Sequence, residues 1–325
     1  MNNFLSELEN AVIKEDRKIT KEEALQLYST ENAGELFEAA NRIRKNCCKN
    51  TSSVCSIINA KTGGCGENCS YCAQSAHWNT SCGASEIISP EKSTELCSRA
   101  LKNRVSRISL VTSGRGLSGK DFETALENFR AIKKKFKDKI RLCASLGILS
   151  LEQMQALKLA GVERYHHNIE TGENYFPKIC TTHSYGDRIH TIQNAKKAGL
   201  EICSGGIIGL GESISDRIDM AIELRGLDVQ SVPVNILSPI KGTPLENAEP
   251  LAQEEALRTI SVFRFIMPSQ TIRCAAGRKS LGKNGEAAFL AGANALISGD
   301  FLTIPGSTND EDILMLEKLG YKIES

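Results

Sequence analysis

From about residue 54 the chain alternates between two hydrophobic periods. Short runs rich in Val, Ile, Leu and Cys at 55–60, 107–112, 140–146, 162–169, 201–207, 232–237, 271–275 and 295–298 read as strands. Between them apolar residues recur at helical spacing, as in Phe122, Ala125, Leu126, Phe129, Ile132 and Phe136, which form one buried helix face. Ser150 with Gln153 makes a capping box, and Gly161 and Gly199 follow Lys/Leu-rich segments as helix C-caps. Strands alternating with helices predict parallel βαβ units, and eight strands close a (β/α)8 TIM barrel, so the fold class is α/β. A doubly wound open sheet is the alternative, but no Gly-x-Gly-x-x-Gly opens the first unit. The expected layout is a single domain over 1–325. It has a charge-rich helical N-terminal cap across the barrel bottom at 1–50, the barrel at 51–300, and a C-terminal closing segment at 301–325 with a helix at 309–318.

Side chains alternate faces along a strand, and in a parallel barrel one face meets helices while the other fills the lumen. Polar groups are costly to bury without partners, so the polar positions of these strands should point inward, toward a ligand. The fourth strand places His166, Asn168 and Glu170 on one face, with His167 and Ile169 on the other. The third groups Arg141, Cys143 and Ser145, and the fifth groups Glu201, Cys203 and Gly205. The sixth offers Asn235 and the seventh Arg273. One or two such residues would fit a structural polar network, whereas five strands bringing polar groups inward point to a polar ligand site.

Composition narrows the partners. Forty Lys plus Arg against 39 Asp plus Glu leave a net charge of +1, which gives no electrostatic case for nucleic acid or an anionic membrane. No apolar run is long enough to span a bilayer, and the start shows no basic-then-apolar leader pattern, so a cytoplasmic protein is expected. Twelve cysteines in a reducing compartment suggest metal ligation or catalysis rather than cross-links. Cys65, Cys69 and Cys72 follow the first strand as C-x3-C-x2-C. Three thiolates on a tight loop can hold three irons of a cubane 4Fe–4S cluster and leave the fourth open to another ligand. A zinc site with His77 as fourth ligand is the competing reading. The stretch from Gly277 to Lys283 nearly spells a phosphate loop, but Asn284 stands where Ser or Thr would hold Mg2+, so it reads as a turn and helix start.

With this triplet the chain resembles the radical S-adenosylmethionine (SAM) superfamily and, within it, the biotin synthase family. The likeness runs from about residue 57 to 320 and rests further on segments 165–170, 203–212, 232–245 and 267–278. The resemblance implies that Cys65, Cys69 and Cys72 hold a 4Fe–4S cluster that binds SAM and splits it reductively. The resulting 5′-deoxyadenosyl radical removes hydrogen atoms from dethiobiotin, and sulfur enters to make biotin. It implies that Asn168 and Glu170 meet the SAM ribose, Arg188 its carboxylate and Tyr71 its adenine. His166, Asn168 and Asn235 lie near the substrate's ureido ring, and Gly206, Gly209 and Gly211 let backbone approach the cofactor. A flavodoxin- or ferredoxin-type reductant and a homodimer are implied as partners. A hydrogenase-maturation type of radical SAM enzyme, or an iron–sulfur scaffold, are the alternatives.

The family also implies a second cluster, 2Fe–2S or larger, held deep in the barrel by three cysteines and an arginine. Cys143, Cys203 and Arg273 match three of those positions, while the fourth falls on Ser109. A hydroxyl stays protonated near neutral pH and is a poor iron ligand, so altered ligation is expected. Cys274 and Cys180 are the candidates to compensate, although strict alternation turns Cys274 away from the lumen if Arg273 faces in.

Overall fold

The computed structural model describes residues 3–299 and 306–324. A single sheet contains β1 (Thr51–Lys61), β2 (Arg107–Thr112), β3 (Arg141–Ser145), β4 (Val162–His166), β5 (Glu201–Cys203), β6 (Gly206–Ile208), β7 (Ser231–Ile236), β8 (Thr271–Cys274), β9 (Ala295–Ser298) and β10 (Lys322–Ile323). All pairings are parallel, and β9 returns to pair with β1 from Ser53↔Ala295 to Ser56↔Ser298, so the sheet closes. Strands β5 and β6 are two pieces of one stave and β10 lies outside the ring, which leaves the eight staves of the expected barrel.

The ends of the staves differ from the periodicity for identifiable reasons. β1 begins earlier, at Thr51, because Thr51 and Ser52 pair with β10. The run 201–207 breaks at Ser204 and Gly205, where Ser204 N–H donates to Ser231 O and a Cβ on Gly205 would lie 1.9 Å from Pro233 O. β4 stops at His166, and the chain then follows the break, with His167 N–H on Cys203 O and Ile169 N–H on Gly205 O. Glu170 turns it off the sheet in the left-handed region, φ 70°. The capping box at Ser150 and the left-handed C-cap glycines Gly161 and Gly199 are formed.

The helix α5 (Gly119–Phe136) buries Phe122, Ala125, Leu126, Phe129 and Ile132 against the barrel wall. The N-terminal helices α1 (Asn3–Glu15), α2 (Lys21–Tyr28) and α3 (Ala33–Cys47) pack on one another and on helices of the barrel. α2 and α3 pack on α10 (Gln253–Ile266), α2 also meets α9 (Ile214–Gly226), and α1 packs on α3. Residue Arg264 of α10 is fully buried and donates to the carbonyls of Gly292, Met267, Pro268 and Gln270, tying the chain ends around β8. The expected closing helix is α12 (Asn309–Lys318), docked by a buried Arg278–Asp312 ion pair, whereas the 300–305 part of the closing segment lies outside the described residues. The phosphate-loop look-alike is a left-handed turn at Gly277 followed by 3-10 turns. Among the described residues no helix is long and apolar enough to cross a membrane.

The contact at Gly205 is backbone against backbone, so neither side can yield cheaply. Gly205→Ala should lower the midpoint of urea unfolding of the metal-free protein by an amount worth about 3 kcal/mol. An unchanged midpoint would show that the staves separate there without cost.

Candidate functional site

The loop after β1 is folded by its own backbone. Cys65 N–H donates to Gln74 O at 3.0 Å and Ala76 N–H to Cys65 O at 2.7 Å, while Cys72 N–H donates to Cys69 O at 3.0 Å. The Trp78 indole N–H donates to Cys69 O at 2.9 Å, and Ser113 Oγ–H to Gly63 O at 2.7 Å, which fixes the loop to the end of β2. Gly63 lies in the left-handed region, and a Cβ there would meet Gly83 O at 2.6 Å, so the loop's tight entry needs glycine.

These cysteines open onto a cavity of about 340 Å3 that descends into the barrel. Cys65, Cys69, Cys72, Tyr71, His166, Asn168, Glu170, Arg188 and Asn235 all line it. Cys143, Cys203, Arg273 and Cys274 do not; they lie outside its lining. His167, expected to turn outward, lines the cavity as well, because the chain has left strand geometry by that residue. Gly206, Gly209 and Gly211 are not in the lining, and a Cβ on Gly206 would strike Glu170 O at 2.3 Å.

A buried polar chain holds the cavity wall. The buried Arg188 donates from Nη1 to Asn168 O at 2.8 Å and to Glu170 Oε1 at 3.3 Å, and from Nε to His183 Nε2 at 3.0 Å. His183 Nε2 is therefore the acceptor, so Nδ1 carries the proton and donates to Glu67. Asn168 spans Glu170, through Nδ2, and Gly205 N–H, through Oδ1. Glu67 sits between Cys65 and Cys69 in the loop, so the chain links loop, β4 end and α8 (Tyr185–Lys197) into one unit. His183 and Glu67 were missed by sequence reasoning, since their meeting spans more than a hundred residues and leaves no local signal.

His77 is exposed and its Nε2 meets Gly66 O at 2.9 Å, so the structure engages it with a loop carbonyl instead of the three cysteines. Among the described residues, the ligand atoms that converge within 4.8 Å of one another belong to Cys69, Cys180 and His183. Cys180 thus sits beside the cavity-mouth loop rather than beside Cys143 and Cys203, which removes it as a compensating ligand there. A hydrogen bond between the two sulfurs lowers the Cys180 thiol and raises that of Cys69.

Below the cavity lies a second group. Cys143 and Cys203 are buried, Arg107 Nη1 lies 3.7 Å from Cys143 Sγ, and Arg164 pairs with Glu201 at 2.7 Å. Burial raises the Cys203 thiol, but His166, Arg273 and Arg164 outweigh it and hold it at about 6. Cys143 stays high because burial exceeds the pull of Arg107. Arg107 and Arg164 were also missed, although Arg164 lies on the alternation that gave His166 and Arg107 on the one that carries Ser109. Arg273 is tied up: Nη1 donates to Ser53 O and Leu296 O, each at 2.8 Å. Asn235 donates to Gly206 O at 3.0 Å and accepts from Ala276 N–H at 3.2 Å, so its amide stitches β6 to β7 as well as facing the cavity. Cys274 falls on the outer face of β8, where the charges nearest it include Arg278 and Asp312, and it is not part of this group.

Thiol donors in both places suit iron, and Ser109 Oγ is buried with no hydrogen-bond partner, as expected beside a group that fills the lumen. Sequence comparison agrees with that chemistry. Residues 60–224 match the radical SAM superfamily model, and residues 233–322 match the biotin and thiamin synthesis associated domain. A biotin synthase of Clostridium tetani is 48% identical over 100% of both chains. One of Clostridium perfringens is 51% identical over 94% of this chain and 95% of its own, and one of Fusobacterium nucleatum 46% over 98% and 91%. Among solved structures, a methylornithine synthase superposes with TM-score 0.82 at 21% identity, over 98% of this chain and 97% of its own. A maturase of the FeFe-hydrogenase reaches 0.84 at 16% identity, over 100% and 76%. At those identities the two structures speak for the barrel alone.

Arg188 is delivered by the capping box that starts α8, in which Ser184 N–H donates to Asp187 at 2.9 Å. That hydrogen bond holds the Asp187 carboxyl below its ordinary value. Its stabilisation is therefore complete above the unfolded value of about 3.9 and disappears as pH falls through the folded one. Asp187→Ala should cost about 1 kcal/mol at pH 7 in urea unfolding, with the gap to the native chain closing below about pH 4. A gap as wide at pH 2 as at pH 7 would show that the carboxylate is not its source.

Proposed function

The chain belongs to the biotin synthase family, and on that membership we propose how its residues carry out the family's reaction, the insertion of sulfur into dethiobiotin to form biotin. It is a radical SAM enzyme whose cofactors are a 4Fe–4S cluster, SAM and an auxiliary iron–sulfur cluster. Cys65, Cys69 and Cys72 hold the first cluster at the cavity mouth, and Cys143, Cys203 and Arg273 belong to the auxiliary site. When bound, the first cluster supplies the electron that splits SAM into methionine and a hydrogen-abstracting radical, and the auxiliary cluster supplies sulfur.

The protein's own part is to hold and to enclose. Glu170 is already oriented by Arg188 and Asn168, so it offers the SAM ribose a fixed acceptor without reorganisation. Arg188 presents the guanidinium that the SAM carboxylate needs, and Tyr71 flanks the adenine. His166 and Asn235 meet the ureido ring, with Asn168 in reach of both ligands. The remaining wall includes Ile57, Val111, Ile207, Ile236 and Ile297, whose apolar side chains exclude water from a reactive carbon centre. The observation that carries the reading is the placement of His166: it lines the cavity and acts electrostatically on Cys203 beneath, so substrate space and buried sulfur share one wall. An iron–sulfur scaffold would need no such organic-ligand cavity, and the hydrogenase-maturation reading has only the shared barrel behind it. A flavodoxin- or ferredoxin-type reductant, a homodimer and a cytoplasmic setting complete the proposal; the last suits twelve unpaired cysteines.

Anaerobic incubation of the reconstituted protein with SAM, dethiobiotin and a reductant should give biotin and 5′-deoxyadenosine, and Cys72→Ala should abolish both. Arg188→Lys keeps the charge but loses the planar fork, so it should weaken SAM binding about tenfold while leaving the KM for dethiobiotin near its native value. Formation of 5′-deoxyadenosine without any sulfur-bearing product would reject the substrate; unaltered SAM affinity in Arg188→Lys would reject that residue's role.

A further inference from the structure

The register of the barrel identifies a cysteine that the family pattern does not. In a closed eight-stave barrel, side chains at one height come from alternate staves, and with a shear of eight each crossing of two staves needs a step of two residues to regain that height. Cys55 pairs with Arg107 and Arg107 with Arg141; two residues on is Cys143. Cys143 pairs with Arg164 and Arg164 with Glu201; two residues on is Cys203. Cys203 pairs with Ser231 and Ser231 with Thr271; two residues on is Arg273. Arg273 pairs with Ala295 and Ala295 with Ser53; two residues on is Cys55 again. The ring closes, and its four members are three cysteines and one arginine.

The same walk from Ser109 closes on Ser109, His166, Pro233 and Ile297, one residue higher, and the last three line the cavity. One residue lower it closes on Arg107, Arg164, Ser231 and Ala295. The sulfur ring therefore lies directly under the cavity floor and directly over two arginines. We propose that Cys55 is the third thiolate of the auxiliary cluster, together with Cys143 and Cys203, in the role for which Ser109 is unsuited. This rests on the reading that an auxiliary cluster occupies the lumen.

Three observations agree. The thiols of Cys55, Cys143 and Cys203 all lie near enough to Arg164 to act on its charge, in keeping with the ring that the register gives. A set of thiolates inside the barrel needs cations, and Arg107 and Arg164 in the layer beneath supply them, with Arg107 on Cys143 Sγ. Ser109 stands in the layer above with an unpartnered hydroxyl, positioned to donate to an acceptor below it rather than to replace a thiolate. Cys55 adjoins Ser109's strand through β1–β2 pairing, so moving the thiol from β2 to β1 keeps it in the same sector of the lumen.

The test isolates the auxiliary site by replacing Cys65, Cys69 and Cys72 with alanine and reconstituting the full chain anaerobically with ferrous iron and sulfide. This background should retain iron, sulfide and the visible bands of thiolate-bound iron. Adding Cys55→Ser should cut iron and sulfide at least about tenfold, as Cys143→Ala does, while Ser109→Ala and Cys274→Ala leave both in place. Circular dichroism and the urea midpoint report whether Cys55→Ser is folded, and the double change Cys55→Ser with Ser109→Cys should restore iron by returning a thiol to the neighbouring stave. Retention of iron, sulfide and spectrum in Cys55→Ser, or their loss in Ser109→Ala, would overturn the assignment. A background that takes up no iron at all would overturn the auxiliary cluster itself, and the assignment with it, whatever residue stands at 55.

Discussion

The pairing of β9 with β1 is the constraint on which everything else in this molecule depends. Closure in a fixed register decides which side chains share a height inside the barrel, and a slip of one residue would exchange lumen and helix faces on the stave that slipped. Because the register holds, arginines, sulfurs and cavity-floor residues fall in successive layers instead of mixing. That order separates a charged base, a sulfur-bearing middle and an organic-ligand space above it, each within a residue's rise of the next.

A second device joins the barrel to the loop above it. Glu67, His183, Arg188 and Glu170 form one hydrogen-bonded chain from the cysteine loop to the end of β4, and each member is buried. Such a chain is costly unless every member is satisfied, and here the donors and acceptors match, so the loop and the cavity wall are held to one geometry. The left-handed Glu170 and the broken stave at Ser204 and Gly205 belong to the same economy: both take the backbone out of regular strand where side chains must reach the cavity.

The strand at 107–112, the one at 295–298, the buried face of α5 and the capping box at Ser150 were legible because each depends on residues a few positions apart. The cavity residues His166, Asn168 and Glu170 were legible from alternation, although His167 joined them once the chain left the strand. Less local expectations fared differently. His77 meets a loop carbonyl and Cys180 lies against Cys69, while Cys274 faces the helices, as strict alternation beside an inward Arg273 requires and contrary to its candidacy as a ligand. In each case proximity in sequence to a ligand or an active face was a poor guide to where the side chain pointed.

The amino-acid order alone therefore determined the stave-and-helix alternation, the cysteine loop and the family, since these reside in short spacings and in local hydrogen bonding. Which residues meet across the lumen was decided only by tertiary structure. Cys55 and Cys203 are distant in the chain and on different strands, and Glu67 finds His183 only because the loop folds back over α8. Their encounter follows from the stagger of a closed sheet, a property of all eight staves together that no single segment encodes.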